Sequence, residues 1–172
     1  MPETALITRV PEAERYIAHH RQRFDPSARR NVPAHVTILY PFMAPSLVDA
    51  QVIAKLAAIA RSVPSFSYRL AKTERFPVAL YLAPEPGEPF SALTDGIFRE
   101  FPDYPPFEGK FDTVVPHVTV AHGDEPLLCE IEVELRIALP GAGLQAHCSE
   151  LILIENSSGR WEQMQVFALG AS

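Results

Sequence analysis

The sequence predicts an α+β fold: a duplicated, bilobal chain with two antiparallel sheets facing a central cleft and helices packed outside. Three observations predict it. Short β-branched segments alternate with amphipathic helical ones. The tripeptide His-Val-Thr occurs twice, at His35–Thr37 and His117–Thr119. The segments that follow the two copies come in the same order, and seventeen prolines leave no room for long uninterrupted helices.

Residues 5–10 read as a first strand, and Pro11 then opens a helix to about Phe24, at the first-turn position proline tolerates. Residues 25–33 read as a loop. Residues 35–42 form a buried strand, rich in β-branched and aromatic residues and closed by Pro41. Ser46 is placed to cap a helix over 47–63 with the stripe Val48, Val52, Leu56 and Ile59, ended by Pro64. Strands follow at 66–76 and 79–84, then a helix from Phe90 to Phe101 with Leu93, Ile97 and Phe98 on one side. The long proline-punctuated stretch 102–116 is a loop of the length that compact domains keep for function, and it leads into a second buried strand at 117–123.

Residues 128–139 fit both patterns. Ile131, Val133, Leu135 and Ile137 alternate as in a strand, whereas Leu128, Ile131 and Leu135 fit a helical stripe. The repeat decides for a helix, because the first motif is followed by helix, proline, strand and strand. The chain then closes with a strand at 150–155, a turn at 156–160 and a strand at 163–169.

A length of 172 residues suits a single domain, 1–172, of two pseudo-symmetric lobes sharing one core. The net charge of -6 weighs against a nonspecific nucleic-acid coat and against DNA as a partner. Cys129 and Cys148 lack metal or redox spacing and read as reduced thiols. The first residues carry no signal pattern and no segment reaches membrane-spanning length, so the expectation is a cytoplasmic protein, monomeric by default, with no membrane partner.

The doubled motif carries the chemistry. On a strand, side chains two apart share a face, so His35 and Thr37 face one way while Val36 and Ile38 face the other. His117 and Thr119 do the same, backed by Val118 and Val120. Opening a phosphodiester needs a base for the nucleophile and an acid for the leaving oxygen, and histidine serves as either near neutrality. Threonine hydroxyls can donate to the non-bridging oxygens, where charge accumulates. This set calls for no cofactor and no metal. His19 and His20, on a polar helix face, and His147, beside a strand start, read as solvated or structural.

Through VPAHVTILYPF, VALYLAP, PPFEGKFDTVVPHVTVAHG and the final hairpin, the chain resembles the two-histidine (2H) phosphoesterases. That superfamily includes the 2′-5′ RNA ligase-like proteins and cyclic nucleotide phosphodiesterases. The resemblance implies that His35 and His117 are the acid/base pair and Thr37 and Thr119 the phosphate holders. It also implies a small nucleotide or short RNA substrate, carrying a 2′,3′-cyclic phosphate or a 2′-5′ linkage. The chain departs from the ligase-like pattern HxTLxR by placing His122 where those relatives have arginine, which favours a smaller substrate. Tyr40 and Phe42, after the first motif, are candidates to stack on a base or to cap the core at the strand end, the second reading being favoured for Phe42. Arg29-Arg30 lie in the loop leading into the first motif, where they could meet phosphate, but the favoured reading is a solvated pair. The alternatives are a non-catalytic nucleotide- or phosphate-binding module on the same fold and, last, a metallohydrolase using His35, His117 and His122. A spacing of five sets His117 and His122 on opposite faces of a regular strand, which argues against the latter.

Overall fold

The computed structural model describes every residue from Met1 to Ser172. The elements are β1 (Thr4–Arg9), α1 (Glu14–Phe24), α2 (Pro26–Arg29), β2 (His35–Leu39), α3 (Ala50–Ser62), β3 (Phe66–Phe76) and β4 (Ala79–Glu85). After these come α4 (Glu88–Glu100), β5 (Val118–His122), α5 (Glu125–Ala138), β6 (Leu144–Cys148), β7 (Glu150–Glu155) and β8 (Glu162–Ala168). They build two four-stranded antiparallel sheets, ordered β2-β1-β7-β8 and β5-β4-β3-β6, with helices outside, as the sequence predicts.

The two motif strands hold matching places, each at the edge of its own sheet, and β2 lies against β5. The sheets are nevertheless not the two halves of the chain. β3 and β4, which follow the first motif, join the sheet of the second, while β7 and β8 return to the sheet of the first. Helices cross in the same way: α1 packs on β5 and α4 on β2. Each motif strand is therefore packed by a helix that follows a strand of the other sheet.

Caps explain where the helices differ from expectation. Asp49, not Ser46, caps α3 by accepting from Val52 N at 2.8 Å, and Pro45–Leu47 is a separate 3-10 turn. Asp25 accepts from Ser27 N at 3.0 Å and starts α2 inside the stretch expected to be loop. Asp124 caps α5 through Leu127 N at 3.1 Å. Leu128, Ile131 and Leu135 are buried there while Val133 and Ile137 are exposed, so the helical stripe prevails over the alternation. Phe98, expected on the buried side of α4, is exposed, whereas Leu93 and Ile97 are fully buried. Strand β6 was not expected: Leu-Gln-Ala-His-Cys contains no β-branched residue, and only pairing with β3 makes it a strand.

One cluster of 32 buried residues, including Leu6, Val36, Ile38, Val118 and Val120, forms the main core. A second cluster of Ala5, Ile7, Val32, Ile152, Ile154 and Trp161 includes the alternate residues of β1 and β7, on the opposite face of that sheet. Both faces of β1 are thus covered, and Thr4 through Thr8 are all buried.

Candidate active site

The strand alternation holds at both motifs. Val36, Ile38, Val118 and Val120 are buried, while His35, Thr37, His117 and Thr119 are partly accessible. Each strand then breaks its register at the same place. The β1–β2 ladder pairs Ile7 with Thr37 but Leu6 with Leu39, stepping over Ile38. The β4–β5 ladder pairs Tyr81 with Thr119 but Leu80 with Ala121, stepping over Val120.

A bulge shifts the alternation by one residue. Leu39 and Ala121 therefore join the core, while Tyr40 and His122 return to the side of the histidines. This corrects the expectation for His122. It is exposed, and its charge acts on His117 to lower that ring's pKa. The carbonyl of Ile38, the residue stepped over in β2, accepts from the buried hydroxyl of Thr94 on α4 at 2.7 Å.

The two imidazoles are held alike. His35 donates from Nδ1 to the carbonyl of Pro33 at 2.8 Å, and His117 from Nδ1 to the carbonyl of Val115 at 2.7 Å. A proton fixed on Nδ1 leaves Nε2 as the free nitrogen in both neutral rings. Although its ring is partly accessible, His35 lies deep among protein atoms, and desolvation pushes its pKa down to about 4. The Arg21 guanidinium adds to this, the Pro33 hydrogen bond opposes it, and the His117 charge adds a smaller lowering. Desolvation likewise lowers the pKa of His117.

Local packing fixes both rings. Arg21 and Asp25, each almost fully buried, pair at 3.0 Å. Arg21 also donates to the Val32 carbonyl at 3.0 Å and to Ser27 Oγ at 3.1 Å, which ties down the segment leading into His35. His117 is flanked edge-on by Phe76 and Tyr81, with ring centroids at 5.0 and 5.6 Å, and those two rings stack at 4.4 Å. None of Arg21, Asp25, Phe76 and Tyr81 carries a motif. The strand register and the helix packing alone reveal them.

The remaining candidates separate. Tyr40 lines a cavity of about 220 Å³ together with His35, Thr37 and Arg30, and its hydroxyl donates to Glu3 Oε2 at 2.9 Å. Phe42 is in the main core, 5% exposed and edge-on to Phe101 and Tyr104, so its ring does not reach the cleft. Arg29 donates to the Arg23 carbonyl, whereas its neighbour Arg30 lines the His35 cavity. His147 lies within β6, and His20, expected on a polar helix face, is buried. The one grouping of three side chains with metal-ligating atoms close together is His19, His20 and Glu134, on α1 and α5. The loop 102–116 reaches the first motif's strand end: Phe107 N donates to the Tyr40 carbonyl at 2.7 Å, with Phe107 and Glu108 both in left-handed backbone conformations.

Two antiparallel sheets that bring paired His-x-Thr edge strands together define the class, a 2H phosphoesterase fold. Within it, the chain belongs to the 2′-5′ RNA ligase superfamily, whose profile matches residues 9–160. A protein of Bacillus pumilus (strain SAFR-032) bearing a provisional phosphoesterase name is 33% identical over 106 residues; the match spans 59% of this chain and 58% of that protein. Among solved structures, E. coli LigT complexed with 3′-AMP superposes with a TM-score of 0.62 at 18% identity, covering 98% of this chain and 99% of that one. TT0787 of Thermus thermophilus gives 0.61 at 17% identity, covering 99% of both chains. LigT has also been solved with NADP+, at a TM-score of 0.60 and 19% identity, covering 98% of this chain and 97% of that one.

Proposed function

We propose that this chain is a metal-independent phosphodiesterase that opens a cyclic nucleotide or RNA-type phosphodiester, a 2′,3′-cyclic phosphate or a 2′-5′ linkage, by two-histidine acid/base catalysis. The observation that carries the reading is the mirrored pair of hydrogen bonds, His35 Nδ1 to Pro33 O and His117 Nδ1 to Val115 O. Each leaves a free Nε2 on abutting strands. His35, with its pKa near 4, is neutral at physiological pH and takes the part of the base, removing a proton from the attacking water. His117 takes the part of the acid and protonates the leaving ribose oxygen. Thr37 and Thr119, one residue beyond each valine, donate to the non-bridging oxygens as charge builds there.

Membership of the 2′-5′ RNA ligase superfamily and the binding of 3′-AMP and NADP+ by LigT support a nucleotide as the ligand. The test is turnover of purified protein on 2′,3′-cyclic nucleotides, 2′-5′ oligoadenylates and cyclic dinucleotides, with and without EDTA. Turnover of one class, unchanged by EDTA, is the expected result. Nucleotide binding without turnover of any ester would leave a binding module instead, and loss of activity in EDTA restored by zinc would move the site to metal chemistry.

A further inference from the structure

The two sides of the cleft are matched in backbone but not in what lies opposite the threonines. Facing Thr119 is Tyr81, whose ring stacks on Phe76, and both rings pack against His117. Aromatic side chains of the protein itself therefore occupy the neighbourhood of that histidine. Facing Thr37 is Ile7, a smaller side chain, and beside it the space is open.

That space is the cavity of about 220 Å³ reached from His35 and Thr37. Ile7, Val32, Ile154 and Trp161, all buried members of the second core cluster, make its apolar floor. Tyr40 and Arg30 stand at its rim. Trp161 is fixed there by its own backbone: its N–H donates to the Arg30 carbonyl at 2.9 Å, and its carbonyl accepts from Asn31 Nδ2 at 2.9 Å. Arg30 is exposed, has no carboxylate within ion-pairing distance, and lies close enough to Tyr40 to act on its hydroxyl. The Tyr40 and Trp161 rings meet edge to face with centroids 6.0 Å apart, so a base lies against them and not between them. A preformed apolar slot with one indole, one phenol and one unpaired guanidinium is suited in that way to a flat, polar-edged ring bearing an anion. Its volume lies below the roughly 300–1,000 Å³ of drug-sized sites, so it suits one base rather than two.

We propose that this slot is a nucleobase seat, present on the His35 side alone, in which Trp161 and Tyr40 hold one base of the substrate and Arg30 meets the nucleotide's anionic group. This rests on the reading above and deepens it: the protein acts on esters that carry a base on one defined side of the reacting phosphate. Sugar phosphates without a base are then poor ligands.

Trp161 is the chain's only tryptophan, so its emission reports the seat directly. Adenosine 2′-monophosphate is expected to change that emission saturably and to bind about 5- to 100-fold more tightly than ribose 5-phosphate, the range that stacking on one aromatic supplies. Arg30→Gln, at an exposed position, is expected to weaken the adenylate and flatten its salt dependence, with Arg30→Lys restoring part of both. Trp161→Ala removes a buried side chain, so its adenylate affinity is read by calorimetry alongside its melting temperature. Equal affinity for the adenylate and ribose 5-phosphate would overturn the seat, as would adenylate binding that leaves Trp161 emission unchanged or no binding of either ligand. The failures separate. Turnover without preference for a base removes the seat and keeps the phosphodiesterase. Adenylate binding at Trp161 without turnover of any ester keeps the seat and removes the phosphodiesterase.

Discussion

His35 holds its Nδ1 proton on the carbonyl oxygen of Pro33, 2.8 Å away, and desolvation lowers its pKa to about 4. The pKa of His117 is lowered as well. Both rings therefore bind protons less tightly in the folded chain than at the unfolded value of 6.5. Between about 4 and 6.5 the unfolded chain carries more protons, so stability is full above pH 6.5 and is lost as pH falls toward 4. The same lowering places the bell of kcat/KM on the acid side of 6.5, with limbs that belong to the pair. Rate and melting profiles from pH 3.5 to 8.5 check both, and a kcat/KM that keeps climbing through pH 7.5 would contradict the assignment.

Thr94 links α4 to the bulge in β2 through the carbonyl of Ile38. Thr94→Val keeps the shape and removes the donor, leaving a buried carbonyl unsatisfied at a cost of roughly 1–3 kcal/mol. Urea unfolding should show that loss. A variant within about 0.3 kcal/mol of the parent, smaller than the usual worth of a hydrogen bond, would mean that the bulge does not depend on it.

Arg21 and Asp25 form a buried pair behind the segment that delivers His35. Arg21→Met strands the Asp25 carboxylate and should destabilise the fold by roughly 3–5 kcal/mol. Arg21 is also the second-largest influence holding the His35 pKa down. The acidic limb of kcat/KM should therefore move to higher pH in whatever fraction remains folded, measured at low temperature.

How much of this was legible in the sequence depended on range. The His-x-Thr faces follow from the period of a strand, and α5 was found because the repeat outweighed a deceptive alternation. The sheet membership was not legible, since nothing local tells β3 and β4 to cross to the second motif's sheet. The bulges escaped for the same reason: Ile38 and Val120 look like ordinary buried strand residues until their partners are known. A regular strand puts His122 opposite His117, and only the bulge brings it to the same side. Tyr81 and Trp161 reach the site through strand pairing and through the connection between β7 and β8, which no local pattern announces. Phe42 follows the core-capping reading that the sequence favours for it, because an aromatic closing a strand reads the same whether it caps a core or meets a ligand.

His122 is exposed on the side of His117, in the position that the resemblance to the ligase-like pattern HxTLxR gives to an arginine. Arginine forks onto phosphate with several donors in one plane, whereas an imidazole offers at most one donor per nitrogen. His122→Arg should raise affinity for oligoribonucleotides several-fold and steepen its salt dependence. Filter binding at two salt concentrations measures it, and an unchanged affinity would show that position 122 does not face the backbone of a bound strand.

The most direct test of the central claim is single-turnover hydrolysis of a 2′,3′-cyclic nucleotide by the parent, His35→Ala and His117→Ala, with melting curves to show that each variant folds. Each histidine is expected to be worth roughly 10²–10⁴-fold in rate, the usual contribution of a positioned acid or base. The double variant should be little worse than either single one, because the two act as a unit. Folded single variants that keep rates within a few-fold of the parent would contradict two-histidine catalysis.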